Sequence, residues 1–122
     1  MRRQQDFRAS DAFKLGQQYK AGLDVAKRNL KTLVDRGVRI AMGTDSGPPG
    51  RFQGFFEHME MEMMVEAGMS PMQVIVSATG DAARCHGRSG QIGTLVAGAA
   101  ADLLILTANP LDSIRNTRQV DA

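Results

Sequence analysis

Tryptophan is absent from this 122-residue chain, cysteine and tyrosine each occur once, and histidine occurs only twice. A single cysteine, Cys85, excludes an internal disulfide framework and fits a reducing compartment. The 15 basic and 13 acidic residues are spread along the chain, and no basic stripe interleaves with aromatics, which argues against a nucleic-acid surface. No apolar run is long enough to span a bilayer, and Met1-Arg2-Arg3-Gln4-Gln5-Asp6 lacks the apolar stretch of a signal peptide. The expectation is a cytoplasmic chain without nucleic-acid or membrane partners.

What remains has helical and strand periodicity. Leu23, Ala26, Leu30, Leu33 and Val34 recur at three- and four-residue steps, which predicts an amphipathic helix over about 10–36, with Gly37 at its left-handed stop. Val38-Arg39-Ile40-Ala41-Met42 follows directly and reads as a buried parallel strand. That strand ends at Gly43-Thr44-Asp45-Ser46 and opens into Gly47-Pro48-Pro49-Gly50, which can continue neither a helix nor a central strand. Phe52, Phe56, Met59, Met63 and Ala67 trace one face of a second helix, with Glu57, Glu60, Glu62 and Glu66 on its other sides and Gly68 at its end. Ser70-Pro71-Met72-Gln73 reads as a capping box opening a third helix to about Arg84, with Ile75, Ala78 and Ala82 turned inward. Beyond Gly87 the texture changes to short apolar pieces between glycines. There, Ala101-Asp102-Leu103-Leu104-Ile105-Leu106 is a strand ending at Asn109-Pro110.

Chemistry in parallel α/β architectures gathers at the carboxyl ends of strands, and Asp45 stands at such an end. A carboxylate there needs a partner, because burying an unpaired charge is costly. Asp45 either caps the next turn through its side-chain oxygens or binds a cation. His58, Glu62, Cys85 and His86 are the other conspicuous groups. His58-Met59-Glu60 resembles the start of a zinc-deaminase motif, but that motif needs a Pro-Cys-x-x-Cys element, which a single cysteine excludes. His58 reads as a helix residue beside the Asp45 loop or as part of a substrate pocket. Cys85-His86 reads as a packed helix end, and methionines at helical spacing fill core.

Gly43-Thr44-Asp45-Ser46-Gly47, Glu66-Ala67-Gly68-Met69-Ser70-Pro71, Ala78-Thr79-Gly80-Asp81-Ala82-Ala83, Ile92-Gly93-Thr94, Gly98, Ala101-Asp102-Leu103 and Asn109-Pro110-Leu111 follow one another in a recognisable order and spacing. From about Leu23 to Ile114 the chain resembles the carboxyl-terminal region of the amidohydrolase superfamily, nearest its prolidase-like and imidazolonepropionase-like branch. The resemblance implies an α/β fold: the C-terminal portion of a (β/α)8 TIM-like barrel over residues 1–86, followed by part of a small β-sandwich over 87–122. It also implies hydrolysis of a C–N bond in an amide, dipeptide or cyclic amide by a metal-activated water. Asp45 matches the aspartate at the end of the eighth strand, which is both metal ligand and catalytic proton carrier. Arg51 and His58, near the same loop, are candidate substrate contacts. The cofactor implied is a divalent metal, zinc, as one or two ions.

The family's other metal ligands have no counterparts here, and one carboxylate does not hold a catalytic zinc. The isolated chain, about half of the roughly 250 residues of a full barrel, is therefore expected to be inactive and to associate with itself or with a missing N-terminal part. Two rivals stand beside this reading. Asp45-Ser46-Gly47 is also the triplet of aspartic proteases, but those are almost entirely β, unlike three helices around the triplet. A non-catalytic truncated fragment, acting only as an assembly unit, is the other, since a strand buried on both faces needs sheet neighbours.

Overall fold

The computed structural model describes residues 11–50 and 52–121, with side chains from Gly16 onward in the first helix. Helix α1 spans Asp11–Asp35. Among its described side chains, Leu30 and Val34 lie against the core, whereas Tyr19 is 72% exposed. Gly37, at φ 74°, closes α1 as the sequence predicts. Its N–H donates to the Val34 carbonyl at 2.9 Å, and the Val38 N–H reaches back to Leu33 at 3.0 Å, the paired bonds of a Schellman stop.

The expected strand at 38–42 is extended but has no ladder. From Arg39 to Ser46 exposed and half-buried residues alternate, with Ile40, Met42, Thr44 and Ser46 on the half-buried side. The Met42 N–H donates to the Ser77 carbonyl at 3.2 Å. Among the described residues β-pairing is confined to two isolated bridges, Ser89 with Ile92 and Leu106 with Val120. A strand takes its hydrogen bonds from neighbours, and the described residues provide almost none.

Helix α2 spans Phe55–Glu66, and Gly68 at φ 103° stops it with the Met69 N–H bonded back to Met64. Helix α3, Pro71–Val76, opens as predicted. The Ser70 N–H donates to the Gln73 side chain at 2.8 Å, and the Gln73 N–H donates to the Ser70 hydroxyl at 3.2 Å. One π-helical turn, Ser77–Asp81, then joins it to a short α4, Ala82–Cys85. Val74, Ser77 and Ala83 are buried, while Ile75 and Ala78, expected to turn inward, are half-buried and pack against the core, and Ala82 is half-buried. A 3-10 turn at Ile114–Arg118 is the last helical element.

The core is Met61, Met64, Met69, Val74 and Ile114. Methionine's flexible chain suits such a small, irregular junction between helix ends. The expected face of the second helix is thus displaced: Met61 and Met64 are buried, Phe56, Met59 and Met63 half-buried, and Phe52 is 70% exposed. Gly93, at φ 75°, presses on the π turn so closely that a Cβ there would stand 2.6 Å from the Thr79 carbonyl oxygen. Leu103, Leu104 and Ile105 of the second expected strand are more than half exposed, at 53%, 64% and 51%. Among the described residues no helix is long and apolar enough to cross a membrane.

Candidate functional site

Asp45 sits where the first extended segment turns out toward α2. Its φ of 50° makes it the sole non-glycine residue with positive φ among the described residues. Aspartate tolerates this left-handed region better than most residues, at a cost of about 1 kcal/mol or more. Its neighbours Thr44 and Ser46 are half-buried while Asp45 itself is exposed.

Both neighbouring hydroxyls converge on one carboxylate. Thr44 Oγ1 donates to Glu57 Oε1 at 2.9 Å, and the Ser46 hydroxyl makes a short hydrogen bond to the same oxygen. The Ser46 N–H donates to Thr44 Oγ1 at 3.3 Å, which closes the turn on itself. The other oxygen, Glu57 Oε2, accepts from the Gly54 N–H at 2.5 Å at the start of α2. The Ser46 hydroxyl, then the backbone N–H of Glu57 and the Thr44 hydroxyl, hold this carboxyl down at about 2 from an ordinary 4.5. Sequence periodicity puts Glu57 on an outer face of the helix and misses this role. The available signal was its position three residues after a helix-starting glycine, where a glutamate reaches back to the first backbone N–H groups.

His58, the next residue, faces a different element. Thr117 Oγ1 donates to the Ile114 carbonyl at 2.8 Å, so its one proton is used and it accepts from His58 Nδ1 at 2.9 Å. This network assigns a proton to His58 Nδ1. Glu62, one turn further, is clamped by Arg118 Nη2 at 2.6 Å and Arg115 Nε at 3.1 Å. Glu66 pairs with Lys27 of α1 at 2.5 Å, and that lysine lowers its carboxyl pKa. Glu60, by contrast, is raised by burial. Helix α2 thus ties the Asp45 turn, the C-terminal 3-10 turn and α1 to one rod.

A cleft of about 740 Å³ opens beside α2, walled by His58, Met61, Ile75, Leu95, Leu104 and Leu106 among others. Asp45 is not on its wall. The lining is mostly apolar because Leu103 to Leu106 lie outside any sheet. The structure therefore does not bring His58 and Asp45 into one pocket, and Arg51 lies outside the described residues. Cys85 is exposed. Among the described residues there is no group of three or more His, Cys, Asp or Glu side chains that could hold a metal ion.

Comparison with known proteins bears on this geometry. The model of the amidohydrolase family matches residues 21–121. An imidazolonepropionase of Chloroflexus aggregans is 34% identical over 80 residues, 65% of this chain and 18% of that protein. An ochratoxinase of Aspergillus niger is 36% identical over 84 residues, 67% of this chain and 16% of that protein. Among solved structures, one from the structural and catalytic characterization of molinate hydrolase superposes with a TM-score of 0.71 at 27% identity, covering 76% of this chain and 23% of that one. The chain thus spans under a fifth of the length of these curated relatives, 18% and 16%.

Proposed function

Because the chain belongs to the amidohydrolase family, whose members are generally metal-dependent, we propose that it forms the carboxyl-terminal part of a hydrolase acting on a small-molecule amide, dipeptide or cyclic amide. In this reading residues 1–86 complete a barrel and 87–122 contribute to a small β-sandwich. Asp45 is the catalytic carboxylate. The observation that carries the reading is its placement: it ends the extended segment after α1, exposed and left-handed, while the hydroxyls on either side turn onto α2.

In that position Asp45 takes the proton of the attacking water and passes it to the departing nitrogen, so that water adds to the carbonyl carbon and the C–N bond breaks. A divalent ion, zinc as one or two ions, supplies when bound a more acidic water. As a donor, the exposed carboxylate of Asp45 suits such an ion. The described residues do not assemble the rest of the ligand set, and in this reading those ligands come from other segments. Arg51 and His58 are proposed substrate contacts. For His58 the support is its place on the cleft wall.

The test is Asp45→Asn in the complete enzyme. The expected result is a fall in kcat of about 10²- to 10⁴-fold, the scale of a lost general base. Retention of the wild-type rate would remove Asp45 from the chemistry. A second reading, a non-catalytic assembly unit, is favoured by the exposure of Leu103, Leu104 and Ile105. It predicts self-association of the isolated chain, visible by sedimentation.

A further inference from the structure

The chemistry proposed for Asp45 depends on where its carboxylate stands, and the loop sequence does little to fix that. Pro48 and Pro49 have no N–H to donate, and glycines at 43, 47 and 50 leave the backbone free. Left-handed backbone at an aspartate persists only when its surroundings impose it. Here the surroundings are specific: Glu57 Oε1 accepts from the hydroxyls on both sides of Asp45, and Glu57 Oε2 accepts from Gly54.

We infer that Glu57 is the positioning residue for Asp45, holding the Thr44-Asp45-Ser46 turn to the first turn of α2 and so fixing the left-handed Asp45 backbone. The anchor is rigid. On the same helix Met61 and Met64 are buried in the core, and Glu62 is held by Arg115 and Arg118. Movement of the turn relative to the core therefore requires breaking the Glu57 bonds rather than bending α2. The strongly depressed Glu57 carboxyl agrees with an anion that its donors hold ionised at neutral pH. This role rests on the proposed catalytic function of Asp45.

The test is solution NMR of the 122-residue chain as wild type, Glu57→Ala, Glu57→Gln and Thr44→Val, read at Asp45 and at the core methionine methyls. A strong intraresidue NOE between the Asp45 amide and α protons marks its positive φ. That signal is expected in the wild type, lost in Glu57→Ala and weakened in Thr44→Val. It should survive in Glu57→Gln, whose amide oxygen still accepts from both hydroxyls. Unmoved methyl signals of Met61, Met64 and Met69 show that any loss is local. If Glu57→Ala disturbs the core, Thr44→Val and Ser46→Ala decide the matter by the same NOE. An Asp45 that keeps its positive φ without the Glu57 carboxylate overturns the inference.

In the complete enzyme, Glu57→Ala is expected to lower kcat about 10- to 100-fold at little-changed KM, as for lost outer-shell partners, with Glu57→Gln restoring most of it. Asp45→Asn run in parallel separates the two claims. Full activity in Asp45→Asn removes the catalytic reading while the NMR result stands. An inactive Asp45→Asn beside an unaffected Glu57→Ala removes the positioning role alone.

Discussion

The helical half of this chain and its extended segments respond differently to the same shortage of neighbours. Helices α2 and α3 carry their own backbone hydrogen bonds, have capped ends and share a methionine-rich core with Ile114. The segments at 38–42 and 101–105 have strand-like sequences but no ladder, and Leu103 to Ile105 remain in solvent. A helix closes its bonds within one stretch of sequence, whereas a strand borrows them from other stretches. Among the described residues the helices are formed, and the two strand-like segments are not paired into a sheet.

That contrast can be broken most sharply in the core. Met64→Ala, at a site 3% exposed, is expected to cost about 2–5 kcal/mol by urea denaturation. Leu104→Ala, at a site 64% exposed, should change stability by less than about 0.5 kcal/mol in the isolated chain. Equal losses at the two sites would mean that the extended segment is packed after all. Next in size is Gly93→Ala. Its Cβ would meet the Thr79 carbonyl at 2.6 Å with φ at 75°, and the expected loss is about 1–3 kcal/mol with the damage centred on the π turn.

A gain is expected at Ser77. Its buried hydroxyl has no hydrogen-bond partner among the described residues, so Ser77→Ala should raise stability by about 1 kcal/mol in the same denaturation assay. The smallest effect is the pH response of the turn. Glu57 has a folded pKa of about 2 against an ordinary 4.5, so the folded state binds its proton less readily than the unfolded one. Its stabilisation is complete above about 4.5 and is lost as pH falls through that interval toward 2. Carboxyl carbon titration by NMR should show Glu57 moving toward 4.5 in Ser46→Ala, because the Ser46 hydroxyl is the largest cause of the shift.

Much of the helical half was legible because its signals are local. Gly37 and Gly68 mark two helix ends, Ser70 to Gln73 marks a helix start, and the structure places stops and cap at those residues. The inward face of the third helix was legible in part: Ile75 and Ala78 pack against the core, but Val74, Ser77 and Ala83 are buried deeper, and beyond Ser77 the π turn adds a residue that periodicity does not count. The expected strands were legible as sequences but are not paired in the structure, because a strand takes its hydrogen bonds from other stretches and the described residues supply almost none. At the candidate site Asp45 stood out through its place at a strand end. Glu57 did not, because the contact that gives it meaning links the helix to a loop 11–13 residues earlier. His58 bonded to Thr117, 59 residues later, is a still longer link.

The central claim is that this chain carries one member of a hydrolytic centre and not the whole of it. The most direct measurement is metal content together with amide-hydrolysis activity of the purified 122-residue chain, with Asp45→Asn as the control. The account predicts no retained zinc and no turnover above buffer in either protein. Tightly bound zinc with turnover that disappears in Asp45→Asn would contradict it, by showing that the chain assembles a complete site on its own.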